Sequence, residues 1–139
     1  MKTLAIAVTL LALGACRPAE CAPPTLCLIT RSYNFSITPS VSPPPAREAI
    51  LYKVIVRDRE NRQPIETGEG QIYANNEADA STWDGFRKGE EMGTYYGKLN
   101  FVTAGPWAVA IRFRRDSLAA LETAEWMQDV LNERDTKIP

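Results

Sequence analysis

Three thiols stand near the amino terminus, Cys16, Cys21 and Cys27, and no cysteine follows them. Thiols so placed can ligate a metal, cycle as a redox pair or close a disulfide. The C-x5-C spacing of Cys21 and Cys27 matches neither the C-x-x-C of dithiol and zinc sites nor the C-x-x-C-H of haem attachment. The chain has no histidine, and with it go the commonest general base and the commonest metal ligand. Ser-His-Asp, Cys-His and His-zinc chemistry are thereby excluded. What remains for acid–base work is a set of carboxylates in the middle third: Glu66, Glu69, Glu77, Asp79, Asp84, Glu90 and Glu91. Paired carboxylates serve glycoside hydrolysis or calcium ligation. The run Asn75-Asn-Glu-Ala-Asp79, however, lacks the alternating ligands and central glycine of an EF-hand loop. No catalytic residue, metal ligand or cofactor is therefore assigned. Trp83 and Phe86 flank the turn Asp84-Gly85, as a binding hot spot does or as rings folded back over a core would. Arg112 and Arg114, with Lys98, Lys53 and Arg57, form a cationic outer row that suits either solvent or an anionic partner. The binding candidates are Trp83, Phe86, Arg112 and Arg114.

The address of the protein is written before Cys16. Lys2 is followed by the uncharged apolar run Leu4–Leu13, well short of the roughly 20 residues that span a bilayer, so it reads as an export signal. Leu13-Gly14-Ala15-Cys16 resembles the bacterial lipobox. That resemblance implies cleavage after Ala15, a diacylglyceryl thioether on Cys16 and a membrane partner through the acyl chains. At about 0.8 kcal/mol per buried CH2, two or three chains anchor where one is marginal. Lipidated, Cys16 is withdrawn from other chemistry, and in an oxidising compartment Cys21 and Cys27 are expected to pair. Copper or haem attachment through them lacks a nearby His or Met. The chain is thus expected in the cell envelope, on the extracytoplasmic side. Arg17 in place of the aspartate that retains many enterobacterial lipoproteins at the inner membrane points to the outer membrane in a host that sorts that way.

The elements that position these residues follow from periodicity. Residues 1–15 are the signal, and 16–48 hold the lipidated cysteine, a short disulfide loop and a Ser/Pro-rich tether whose Pro43-Pro44-Pro45 favours polyproline II. Within it, Tyr33–Ile37 alternates as an edge strand would. Residues 49–115 alternate with period two. Ile50, Tyr52, Val54 and Val56 share a face, 70–74 and 82–85 are short strands, and 95–101 with 107–113 form a hairpin across Thr103-Ala-Gly-Pro106. Residues 116–139 are expected to be a helix and tail. Asp116-Ser117 caps it, and Trp126/Val130 and Met127/Leu131 make a stripe that packs on the domain or docks a partner.

Strands at this spacing, with Gly, Pro and Asn punctuation, predict a mainly β fold: a small antiparallel immunoglobulin-like sandwich with a C-terminal helix. Residues 51–113 also resemble the YtkA-like and FixH-like bacterial domains, through a first strand entering a polar turn at Pro64, then Gly93-Thr-Tyr95, then Thr103-Ala-Gly-Pro-Trp107 leading into an aliphatic strand. The resemblance implies a membrane-tethered domain, in some members tied to copper handling or oxidase assembly. Copper there depends on His and Met. This domain has Met92 alone, with Met127 further on, and the chain has no His, so the fold is expected to carry over and the metal is not. With 16 basic and 17 acidic residues and a formal net charge of -1, nucleic acid is not an expected partner. The expectation is a non-enzymatic, lipid-anchored binding or accessory module that touches another envelope protein. A metal-handling or ligand-binding module of the YtkA-like type stands second, and a small carboxylate-dependent hydrolase last.

Overall fold

The computed structural model describes residues 21–132. The signal segment, Cys16 and the tail beyond 132 lie outside the described residues. Within them the chain forms strands β1 (Leu26–Ile29), β2 (Tyr33–Pro39), β3 (Ala49–Asp58), β4 (Glu69–Asn75), β5 (Ser81–Gly85), β6 (Arg87–Lys88), β7 (Thr94–Asn100), β8 (Gly105–Arg114) and β9 (Glu122–Val130). One antiparallel sheet has the order β1-β2-β3-β7-β6 and the other β5-β4-β8-β9. The inward residues of both sheets build one core, the arrangement of a β-sandwich.

Alternation explains which faces meet. Ile50, Tyr52, Val54 and Val56 of β3 are buried and the residues between them point outward. Ile72 and Ala74 of β4 do the same from the facing sheet. At the centre, Phe113 receives the edges of Tyr33 and Tyr95, with ring centroids 5.0 and 5.3 Å away. Phe101 meets Trp107 at 5.2 Å. Such edge-to-face pairs place ring hydrogens on ring faces and add to simple burial.

Three sequence expectations are corrected. The tether is in large part sheet: β2 pairs with β3 along seven positions from Tyr33↔Asp58 to Pro39↔Tyr52, β1 pairs outside it, and Tyr33, Phe35 and Ile37 are fully buried. Three large apolar side chains on one strand face cannot stay in a solvated spacer once a core is available to take them. Behind them the loop of prolines closes on the far end of the chain. The Ala46 amide donates to the Leu131 carbonyl at 2.8 Å, and the Leu131 amide to the Pro44 carbonyl at 3.0 Å.

Strands β7 and β8 are not a hairpin, because each lies in a different sheet. Their apolar faces point at each other across the core rather than side by side, and Thr103–Pro106 is the corner between sheets. The Trp107 indole N–H donates to the Thr103 carbonyl at 2.9 Å, which holds that corner.

The expected C-terminal helix is instead β9, paired with β8 from Gly105↔Val130 to Phe113↔Glu122. The cap itself forms: Asp116 Oδ1 accepts from the Leu118 and Ala119 amides, both at 2.9 Å. The turn then stops, because β8 offers a full row of backbone partners and Ala124, Trp126 and Val130 reach the core by alternation. Tertiary pairing outweighs the helical propensity of the Ala-, Leu- and Glu-rich segment.

Candidate binding surface

The outer face of the β5-β4-β8-β9 sheet carries most of the candidate residues. Register places Trp83 opposite Tyr73, Tyr73 opposite Ala110 and Ala110 opposite Glu125. The adjoining rows are Gly85, Gln71, Arg112 and Thr123, and Ser81, Asn75, Ala108 and Met127. Trp83 is 69% exposed. The Arg112 guanidinium lies over the Tyr73 ring, 4.9 Å from its centroid, a cation–π contact that holds the long side chain flat. Trp83, Tyr73, Thr82, Asn75, Gln71 and Arg112 line an open recess of about 360 Å³. Beyond Arg112 a second recess of about 310 Å³ is walled by Glu69, Arg114 and Leu121.

The four binding candidates separate. Trp83 and Arg112 stand on this recess. Arg114 shares the face, where its Nε donates to Glu69 Oε1 at 2.6 Å and its charge is answered. Phe86 does not belong to the surface. It folds onto the core against Tyr95, filling the space over Gly70 and Gly97, where an added Cβ would come within 3.1 and 3.2 Å of its ring. The cationic row also divides. Lys53, Arg57 and Lys98 lie on the outer face of the other sheet, opposite Arg112 and Arg114. Tyr73 and Gln71 are additions to the sequence reading. Alternation along Gly70-Gln-Ile-Tyr-Ala74 already puts them on the face opposite Ile72, and only the register with Trp83 was missing.

Several of the acidic side chains are occupied in holding strands. Asp84 Oδ2 accepts from the Lys98 amide at 2.9 Å, and Thr82 Oγ1 from the Asn100 amide at 3.1 Å, so side chains of β5 serve the edge of β7 in the facing sheet. Glu66 accepts from the Gly93 amide and pairs with Lys88, and Asp58 pairs with Arg115. Both line one recess of about 270 Å³. Hydrogen bonds from Lys88 and Gly93 hold the Glu66 carboxyl below its ordinary value, and the Arg115 guanidinium, with the Glu60 and Asn61 amides, does so for Asp58. A general acid needs the opposite shift. Among the described residues no three His, Cys, Asp or Glu side chains group as metal ligands. Met92 and Met127 are each 67% exposed and lie on different sheets' ends of the chain, after β6 and within β9.

Cys21 and Cys27 sit at disulfide distance with Cα atoms 5.5 Å apart. Cys27 lies in β1, in register with Ser36. The expected lipid site, Cys16, lies outside the described residues.

No protein-family model matches the chain, and no curated protein matches it. Among solved structures, a crystal structure of a DUF4426 family protein from Pseudomonas aeruginosa PAO1 is similar, with a TM-score of 0.59 over 79% of this chain and 97% of that one. At 7% identity the likeness is one of fold alone.

Proposed function

We propose that the chain is a lipid-anchored, extracytoplasmic binding module with an immunoglobulin-like sandwich, acting through contact between its β5-β4-β8-β9 face and another envelope protein. The strand order supports the fold reading. β2, β3, β7 and β6 take the places of strands A, B, E and D, and β4, β8 and β9 those of C, F and G, with β5 beside β4. The lipobox at 13–16 supports the anchor.

The observation that carries the binding reading is Trp83. A tryptophan 69% exposed leaves a large apolar area in water, and it stands beside an Arg–Tyr stack on a face floored by Ala108 and Ala110. Trp, Tyr and Arg are the residues in which interface energy concentrates, and small floor residues leave room for a partner's side chains. The test is photocrosslinking in intact cells with the full-length lipoprotein, with the crosslinker at position 83 or, as a control, at position 98 on the opposite face. One discrete envelope protein captured from 83 alone, and lost with Arg112→Ala, is expected. Equal capture from both positions, or none from 83, would overturn the reading.

A further inference from the structure

The disulfide fixes Cys21, five positions after the expected lipid site, at one corner of the domain, and that corner is rich in arginine. Cys21 is bonded to Cys27, and Cys27 is fixed in β1 by pairing with β2. Four residues separate Cys16 from Cys21, so Cys16 lies within about 18 Å of Cys21, which the disulfide holds 5.5 Å from Cys27 of β1. Around Cys21 and Cys27, Ile29, Arg57 and Arg62 line a recess of about 180 Å³. Arg59 reaches back across the adjacent turn to donate to the Thr30 carbonyl at 3.2 Å. Ile29 is 64% exposed at this corner. In the same turn the Ser32 amide donates to Glu122 Oε1 at 2.8 Å, and the charge of Arg31 also acts on that carboxylate. Asp58 is turned to Arg115, leaving Glu60 as the exposed acid of the β3–β4 turn.

We infer that the corner formed by residues 28–32 and 57–62 lies on the bilayer that holds the anchor, with Arg57, Arg59 and Arg62 against anionic lipid headgroups and Ile29 in the interface. The short tether keeps this corner near the surface. There each arginine gains from the negative surface potential, which falls away within a screening length. The same placement turns the Trp83 face outward. β1 is the edge of one sheet and β5 the opposite edge of the other, since β9, not β5, packs on the β2–β3 side through Tyr52 and Trp126.

This inference rests on lipidation of Cys16, which intact mass reads separately: absence of the diacylglyceryl mass would fail that reading and with it the tether. The full-length lipoprotein is placed in phosphatidylcholine vesicles with or without about 30% phosphatidylglycerol, and amide hydrogen exchange is followed. Exchange at 28–32 and 57–62 is expected to slow roughly ten-fold in the anionic vesicles only, and to recover in about 1 M salt, where the screening length is about 3 Å. Arg57→Gln/Arg59→Gln/Arg62→Gln, checked for unchanged exchange in the core strands, is expected to abolish the difference. Equal exchange in both vesicles would overturn the inference while leaving the anchor intact. Protection that follows protein concentration in detergent would assign the corner to a second copy of the chain and overturn it as well.

Discussion

Two buried tyrosines do opposite things with the same hydroxyl. Tyr95 donates to the Ile65 carbonyl at 2.6 Å and accepts from the Gly68 amide at 2.9 Å, so one side chain of β7 ties down the stretch that enters β4. Tyr52, equally buried, has no hydrogen-bond partner for its hydroxyl among the described residues. Tyr95→Phe strands a carbonyl and an amide in the interior and is expected to cost about 2 kcal/mol, seen as a lower urea midpoint at unchanged slope. Tyr52→Phe removes an unsatisfied group and is expected to leave the midpoint where it is or raise it. Burial pushes both phenols above the ordinary value of 10.0. A folded-state value raised in this way contributes stability below pH 10.0 that is lost as pH climbs toward the folded value. Unfolding followed by near-UV circular dichroism should therefore set in above pH 10.0, and the onset should move upward in Tyr52→Phe. At this scale the sequence was partly legible. Trp83 and Phe86 have the same claim to a surface on composition, and what separates them is that Gly70 and Gly97 leave room for the Phe86 ring while the register of β5 puts Trp83 on the outer face beside Tyr73.

Elements were legible wherever a single period stood out. β3 is readable in Ile50-x-Tyr-x-Val-x-Val56, and β4, β5, β7 and β8 in similar runs, because a sheet with one wet face imposes that alternation. Which sheet each strand joins was not readable: β7 and β8 both show an apolar face, and only the corner at Thr103–Pro106 decides that the faces oppose. β9 failed for a different reason. Ala124, Trp126 and Val130 do alternate, but Gln128 interrupts them and the residues themselves prefer helix. Its strand state is thus a property of the sheet, not of the segment. A peptide of residues 116–132 is expected to show helical circular dichroism in trifluoroethanol, whereas in the protein the amides of 122–130 should exchange slowly together with those of β8. A peptide that remained extended under helix-promoting conditions would show that the segment itself prefers the strand.

At the scale of the whole molecule, residues 26–39 belong to the domain. Alternation marked Tyr33–Ile37 as an edge strand, but Pro39 and Pro43–Pro45 bias the eye toward a linker and conceal that Tyr33, Phe35 and Ile37 supply core and that β1 pairs outside them. Each of those side chains contributes about 1.5–3 kcal/mol of burial, together comparable to the 5–15 kcal/mol by which a whole domain is commonly stable. A fragment of residues 49–139 is accordingly expected to lack a cooperative urea transition and near-UV signal, and a fragment beginning at Cys21 to keep both. The disulfide matters at this scale less for stability than for reach. With it, Cys16 lies within about 18 Å of Cys21, itself 5.5 Å from β1 across the bond; without it, the free length from Cys16 to β1 is about 35 Å.

The clasp between Pro44–Ala46 and Leu131 has a consequence in time. A chain made from its amino end holds β1 to β8, eight of the nine strands among the described residues, before β9 and Leu131 exist. Until β9 and Leu131 arrive, the Ala46 amide lacks the Leu131 carbonyl, β8 lacks its β9 neighbour, and Trp126 is not yet against Tyr52. Formation of the clasp therefore waits on β9 and the residue after it, however quickly the preceding strands fold.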